Sequence, residues 1–283
     1  PILLPSRHPS TSKTGSTLLA QDFFAGKVAI VTGGSRGIGA STVEKLAERG
    51  ARVAINYSSS KDEAEAMASE IGDNAIAVQA NLAAGEAEKL SEAALAKWGQ
   101  VDFLVNNAGT TKFANHEDLD ALSADDFLDI YRLNVVAAYE MIRACAPAMR
   151  DAGGGSVVNV ASIAGTHGIG SSVAYAASKG AMVTMTKSLA RSLAPEIRVN
   201  AICPGYVGTG WFADRLGEEG LKAMNEMVAS KVPLARAGQA EDIADGILMF
   251  LDDASRLVTG ETLLLDAGSH LDLRLSRRPG QEI

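Results

Sequence analysis

From Gly26 onward the chain alternates short apolar runs, rich in β-branched residues, with longer amphipathic stretches. The runs are KVAIVT (27–32), ARVAIN (51–56), NAIAVQA (74–80), VDFLVN (101–106), SVVNVA (156–161), IRVNAI (197–202) and ETLLLDA (261–267). Near-continuous apolar runs of this length are the signature of strands buried on both faces. Between them, segments 61–71, 86–98, 123–150, 175–194 and 240–251 carry apolar positions at helical spacing and are long enough to cross between parallel strands. The alternation predicts an α/β fold: a doubly wound, seven-stranded parallel sheet with helices on both faces and ligands beyond the carboxyl ends of the strands.

At 283 residues and 47% apolar composition, with no change in character along its length, the chain reads as one domain over 26–268. Residues 1–25 read as a flexible N-terminal extension, the first twenty-one being free of acids and rich in Ser, Thr and Pro; residues 269–283 read as a C-terminal extension. A net charge of −8 with scattered Lys and Arg argues against nucleic acid and anionic membranes as partners. No apolar run is long enough to span a bilayer and the N-terminus shows no hydrophobic signal core, so a cytoplasmic protein is expected. Two cysteines make no disulfide framework, and four dispersed histidines lack metal-ligand spacing, so no metal is expected at the site.

The first strand runs into VTGGSRGIGA, where Gly33, Gly37 and Gly39 frame Ser35, Arg36 and Ile38. Glycines between a strand and a helix permit a tight turn, close approach of backbone to a pyrophosphate, and close helix–strand packing. That context points to a Rossmann-like dinucleotide site. At the end of the second strand, where a carboxylate commonly binds an unmodified ribose, the chain offers Asn56, Tyr57 and Ser58. With Arg36 near enough to meet a 2′-phosphate, the reading favours NADP(H) over NAD(H).

YAASKG sets Tyr175 and Lys179 four apart on one helical face, with Ala176, Ala177 and Gly180 leaving room for a flat cofactor. A phenol with an ordinary pKa of about 10 exchanges protons poorly near neutrality, and a neighbouring ammonium, helped by the positive nicotinamide of an oxidised cofactor, is expected to lower that value. Ser162, at the end of the fifth strand, could hold a substrate oxygen. Asn134 lies within a helical pattern, where a buried amide needs either a structural hydrogen bond or a water to hold.

TGGSRGIG, NNAG (106–109), Asn134, Ser162, YAASK and PGYVGT (204–209) follow one another in the order and spacing of the short-chain dehydrogenase/reductases, which the chain resembles over residues 26 to about 268. The resemblance implies a catalytic tetrad of Asn134, Ser162, Tyr175 and Lys179. Lys179 would also bind the nicotinamide ribose, and Asn134 would support a water that returns a proton to Tyr175. It further implies Asn107, Ala108 and Gly109 beside the adenosine ribose, and Asn106 steadying the sheet. Pro204, Gly205, Val207 and Thr209 would lie beside the nicotinamide. Asn81, next to Leu82, stands where the family often carries an adenine-binding Asp, and Ala161 replaces the first of a frequent Ser pair.

The implied reaction is hydride transfer between NADP(H) and a small carbonyl compound or secondary alcohol. Tyr206, Trp211, Phe212, His167 and Ile169 suggest an apolar, partly aromatic pocket, so a ketone reductase or alcohol or sugar dehydrogenase is expected. A 3-oxoacyl-carrier-protein reductase is the alternative; it ranks lower because Gly153 and Glu196 stand where those enzymes present arginines to the acidic carrier. A catalytically silent NAD(P)-sensing protein ranks lower still, because all four tetrad residues are present. The resemblance also implies a homotetramer, or a homodimer, packed through helices 123–150 and 175–194 with Val135, Ala138, Met141, Ile142, Val183 and Leu189 on the joining faces.

Overall fold

The computed structural model describes residues 23–271. Seven parallel strands form one sheet in the order β3-β2-β1-β4-β5-β6-β7. They are β1 (Val28–Val31), β2 (Arg52–Tyr57), β3 (Ala75–Gln79), β4 (Phe103–Asn106), β5 (Gly155–Val160), β6 (Ile197–Pro204) and β7 (Thr262–Leu265). Each predicted run overlaps its strand, and β2, β5 and β6 extend one or two residues beyond theirs, to Tyr57, Gly155 and Pro204. The central ones are buried at nearly every position, because helices cover both faces and leave no side for polar residues.

On one face lie α1 (Gly37–Glu48), α2 (Lys61–Ile71) and α9 (Ala240–Leu251), whose Val43, Leu46, Ala64, Ile243 and Phe250 pack on Val31, Val53 and Ile55. On the other, α3 (Ala87–Trp98), α5 (Ala137–Asp151) and α7 (Val173–Leu193) pack Leu90, Met141, Met149 and Ala190 on Ile30, Leu104 and Val199. Strand order reverses between β1 and β4, and there the loops splay apart beyond the carboxyl ends to open a cleft.

The structure departs from the sequence pattern in four places. The segment 123–150 is not one helix: Ser123 and Asp126 form a reciprocal cap on α4 (Ala124–Tyr131), a π turn follows at Arg132–Val136, and α5 resumes at Ala137. Helix α8 (Gly210–Ala229), bent at Gly217, lies outside the predicted segments, although Leu221, Met224 and Val228 recur in it at helical spacing. The short α6 (Ala164–His167) was likewise read as loop. Finally, the domain begins before Gly26: Phe24 is fully buried and packs against Phe103 at 5.5 Å. The rest of the two predicted extensions, 1–22 and 272–283, lies outside the described residues.

The apolar residues expected at a subunit interface serve this chain's own core. Met141 and Ile142 are buried within the single chain, as are Val135 and Ala138, while Val183 and Leu189 pack on the internal clusters. The face of α4 and α5 that does look outward carries Phe127, Leu128, Tyr131, Val136 and Tyr139.

Candidate functional site

The cleft has a volume of about 1030 Å³ and runs from the glycine turn to α8. At one end lie Ser35, Arg36, Ile38, Tyr57, Ser58, Asn81 and Leu82; at the other lie Ser162, Tyr175, Lys179, Pro204, Gly205 and Thr209. Residues far apart in the chain meet here because each follows the carboxyl end of a strand.

The glycine turn is built from the inside. Gly33 takes φ +59°, and a Cβ on Gly39 would run into the carbonyl oxygen of Gly33, so α1 can start against the turn only with glycine at that position. Asn107 donates from Nδ2 to the carbonyls of Thr32 and Gly33, both at 3.0 Å, and Thr32 Oγ1 accepts from the amides of Asn107 and Ala108. No side chain caps the first turn of α1, so its amides remain available to an anion. The turn, the uncapped helix start and the hydroxyl-rich Ser58–Ser60 together fit a dinucleotide.

Asn56 lines the cleft with its amide hydrogens already committed. It is buried, accepts the Gly33 amide at 3.1 Å, and donates both Nδ2 hydrogens to the carbonyls of Tyr57 and Ala80. No donor remains for a ribose. Asn56 braces the glycine turn and lines the cleft beside Tyr57, Ser58 and Arg36. Arg36 reaches across the mouth to Asp214 of α8 at 3.8 Å; both side chains are largely exposed, so the pair is weak.

At the other end α7 starts where Ser172 caps the Tyr175 amide, turning Tyr175 and Lys179 into the cleft. Ser162 accepts the amide of Ala164 at 3.1 Å, which orients the hydroxyl and leaves its proton for the Tyr175 oxygen. Lys179 is buried, donates to the carbonyl of Val160 at 2.7 Å and lies 5.7 Å from the Tyr175 ring centre. Burial pushes the Tyr175 phenol up to about 12, against the pull of the Ser162 hydrogen bond, with Cys203 adding to the rise. The expected lowering by Lys179 is therefore absent from the chain by itself. The reason is desolvation, which penalises phenolate, and which also brings Lys179 down to about 8. Tyr175 is held in its protonated form.

Two of the predicted catalytic and cofactor-binding residues do not line the cleft: Gly39, whose place is under the turn, and Asn134. Fully buried Asn134 accepts the Thr110 amide at 2.8 Å and donates to the Thr110 carbonyl and to Ser178 Oγ, both at 3.0 Å. Its donors are thus exhausted, and a proton path through residue 134 can use only the backbone of the π turn. Gly109 belongs to this end too, since a Cβ there would lie 3.2 Å from Asn134 Oδ1 and 3.6 Å from Lys179 Nζ. That is the Lys179 side of the cleft rather than the adenosine side.

The small residues of YAASKG also have a different use. Ala176, Ala177 and Gly180 do not face the cleft; Gly180 meets Gly165 of α6, where a Cβ on Gly165 would collide with the backbone of Lys179. His167 is exposed, bonds Thr166 and stacks near His270, away from the cleft. Sequence reasoning missed Thr32, Thr110, Phe113, Gly165, Ser178 and Arg215. Ser178 lies inside the quoted motif and Thr110 directly follows NNAG, so both could have been found; Phe113 and Arg215 carry no local signal.

Comparison with known proteins agrees with this geometry. Residues 33–270 match a family model described as enoyl-(acyl carrier protein) reductase. The chain is 37% identical over 254 residues, 89% of its own length and 100% of the relative's, to a protein of Streptomyces violaceoruber named as ketoacyl reductase 2 of the granaticin polyketide synthase. It is 35% identical, over 87% of this chain and 98% of the relative, to the 3-oxoacyl-[acyl-carrier-protein] reductase of Staphylococcus aureus. A crystal structure from Burkholderia xenovorans, titled as a short-chain dehydrogenase/reductase, superposes with a TM-score of 0.80 at 34% identity, covering 87% of this chain and 98% of that one. With the strand order, the glycine turn and the Ser162–Tyr175–Lys179 arrangement, these matches establish that the chain belongs to the short-chain dehydrogenase/reductase family.

Proposed function

We propose that the protein is an oxidoreductase that exchanges a hydride between NADP(H) and the carbonyl or secondary alcohol of a small, partly apolar substrate. The observation that carries this reading is the convergence of Ser162, Tyr175 and Lys179 in the same cleft as the glycine turn.

Gly33, Ser35, Ile38 and the start of α1 would hold the pyrophosphate, Tyr57, Ser58 and Asn81 the adenosine, and Lys179, Pro204, Val207 and Thr209 the nicotinamide half. A reduced nicotinamide, when bound, supplies the hydride. Tyr175, held protonated by its surroundings, gives its proton to the carbonyl oxygen as negative charge develops there. Ser162 donates a hydrogen bond to the same oxygen and keeps it in line with Tyr175. Lys179 supplies positive charge below the phenol, and Asn134 fixes the Gly109–Thr110 turn and, through Ser178, the first turns of α7. Trp211, 6.1 Å from Tyr175, with Phe113, Tyr206 and Phe212, shields the site from water.

NADP(H) is preferred because no acid faces the cleft from Tyr57 to Ser60 while Arg36 does. The outward face of α4 and α5, including Leu128 and Tyr139, is the surface through which a tetramer or dimer would form, in a protein of the cytoplasm. Light scattering should show an oligomer that L128E weakens; a monomer at micromolar concentration refutes it.

A second reading, reduction of 3-oxoacyl groups on a carrier protein, is favoured by the names of the relatives. Gly153 and Glu196 weigh less against it than the sequence suggested, since they precede β5 and β6 at the end of the sheet away from the cleft. An NADPH-oxidation screen across free ketones, sugar carbonyls, 3-oxoacyl thioesters and enoyl thioesters separates the readings. Free ketones should be the best substrates. Efficient turnover restricted to carrier-bound thioesters supports the second reading, and no turnover of any class overturns both.

A further inference from the structure

Among the described residues that line the cleft, four carry charge near neutrality: Arg36, Lys179, Asp214 and Arg215. Lys179 stands beside Tyr175, and Arg36 and Asp214 face one another. Arg215 has no carboxylate partner and no hydrogen bond to another described residue. Its guanidinium carbon lies 4.3 Å over the Phe113 ring, Phe113 meets Phe212 at 6.2 Å, and Phe212 packs on Tyr206 at 4.8 Å. That contact orients the exposed side chain and leaves its guanidinium edge to solvent or to a ligand in the cleft. The same wall holds the Tyr206 hydroxyl, which is buried without a hydrogen-bond partner among the described residues.

We propose that Arg215 reads an anionic group on the substrate, so that the enzyme acts on oxo acids or the corresponding hydroxy acids: compounds carrying a carbonyl or alcohol and an acid group on one apolar body. The proposal rests on the cleft being a carbonyl-reducing site and adds the class of compound it takes. The chain as a whole has a net charge of −8, so a cation left unpaired inside its cleft is selective rather than general in its attraction. Guanidinium suits the task because its planar fork matches carboxylate and phosphate oxygens.

Helix geometry sets the spacing. Trp211 leans on Tyr175 at 6.1 Å, and Arg215 follows Trp211 by four residues in the regular part of α8, ahead of the bend at Gly217. One turn advances about 5.4 Å along the axis, so the anion would sit on the order of 10 Å from the reacting oxygen, with the apolar body along Trp211, Phe212 and Phe113.

The test uses rigid probes: 4-acetylbenzoate, its uncharged methyl ester, and 4-acetylphenyl phosphate, each reduced with NADPH by the wild type, R215M and R215E. The wild type should prefer an anionic probe to the ester by at least tenfold in kcat/KM; R215M should bring that ratio near one and R215E below one. Whichever of carboxylate and phosphate shows the larger Arg215-dependent ratio identifies the anion. A smaller wild-type ratio, a ratio that R215M leaves unchanged, or a charge effect seen only with carrier-bound thioesters overturns the proposal. Calorimetric titration of Y175F and Y175F/R215M, saturated with NADP+, gives a readout independent of chemistry, and the anionic probe should lose at least tenfold in affinity in the double variant. If no carbonyl compound is turned over at all, the reductase reading fails, while the titration still decides what Arg215 binds.

Discussion

Lys179 holds its ammonium 5.7 Å from the centre of the Tyr175 ring while donating a 2.7 Å hydrogen bond to the carbonyl of Val160. The two side chains share a helical face, but the lysine is anchored to β5 rather than to the phenol. Among the described residues it has no carboxylate partner, and its charge is met by that carbonyl and by its opening to the cleft. The pair is thus an acid held ready by burial, with a cation fixed beside it.

Removing either hydroxyl tests this arrangement. Y175F should lower kcat by about 10²–10⁴, the range of a positioned general acid, while NADPH affinity measured by fluorescence titration changes little. S162A should lose a similar factor, because Ser162 orients the same oxygen. Unchanged turnover of the best substrate by Y175F would exclude Tyr175 as the proton donor.

Lys179 should leave a mark on stability against pH. Its folded value, about 8, lies below the ordinary 10.5, so between those pH values the unfolded chain binds the extra proton and stability rises with pH. Below pH 8 the penalty is fully present. Urea melts of the cofactor-free protein should show wild type gaining about 2–3 kcal/mol on K179M between pH 7 and pH 10. A pH-independent difference would mean that Lys179 is hydrated in solution.

Cofactor choice should depend on Arg36. Loss of a charge-assisted hydrogen bond to phosphate costs about 1.5–3 kcal/mol, so R36A should reduce the preference for NADPH over NADH by about tenfold or more, read as the ratio of kcat/KM values. An equal loss with both cofactors would assign Arg36 to the turn alone.

Gly165 should be intolerant of a methyl group. G165A drives a Cβ into the backbone of Lys179 and Gly180, which separates α6 from α7. Overpacking of this kind costs about 1–3 kcal/mol, and because Lys179 is the residue displaced, kcat should fall along with the melting temperature. Thermal melts and steady-state rates on the same preparation check both.

Much of the molecule was legible from local pattern. Strands buried on both faces must be apolar throughout, so seven runs were enough to specify a parallel sheet, and glycines at a strand–helix junction marked the dinucleotide end. Ser162, Tyr175 and Lys179 could be read because chemistry demanded their residue types at helix or strand-end positions. By contrast, α8 was missed although Leu221, Met224 and Val228 recur at helical spacing, because Gly217 and Gly220 break the pattern ahead of them.

The residues by themselves therefore determined the layers, the order of elements and which side chains could do chemistry, since these follow from periodicity and functional groups along the chain. Tertiary structure alone decided that Asn56 braces Gly33, that Asn134 is tied to Thr110 and Ser178, that Gly180 packs on Gly165, and that burial raises the Tyr175 phenol in the chain by itself. Each depends on the distance and solvent exposure of groups brought together from different strands, and neither quantity is defined until the sheet has formed.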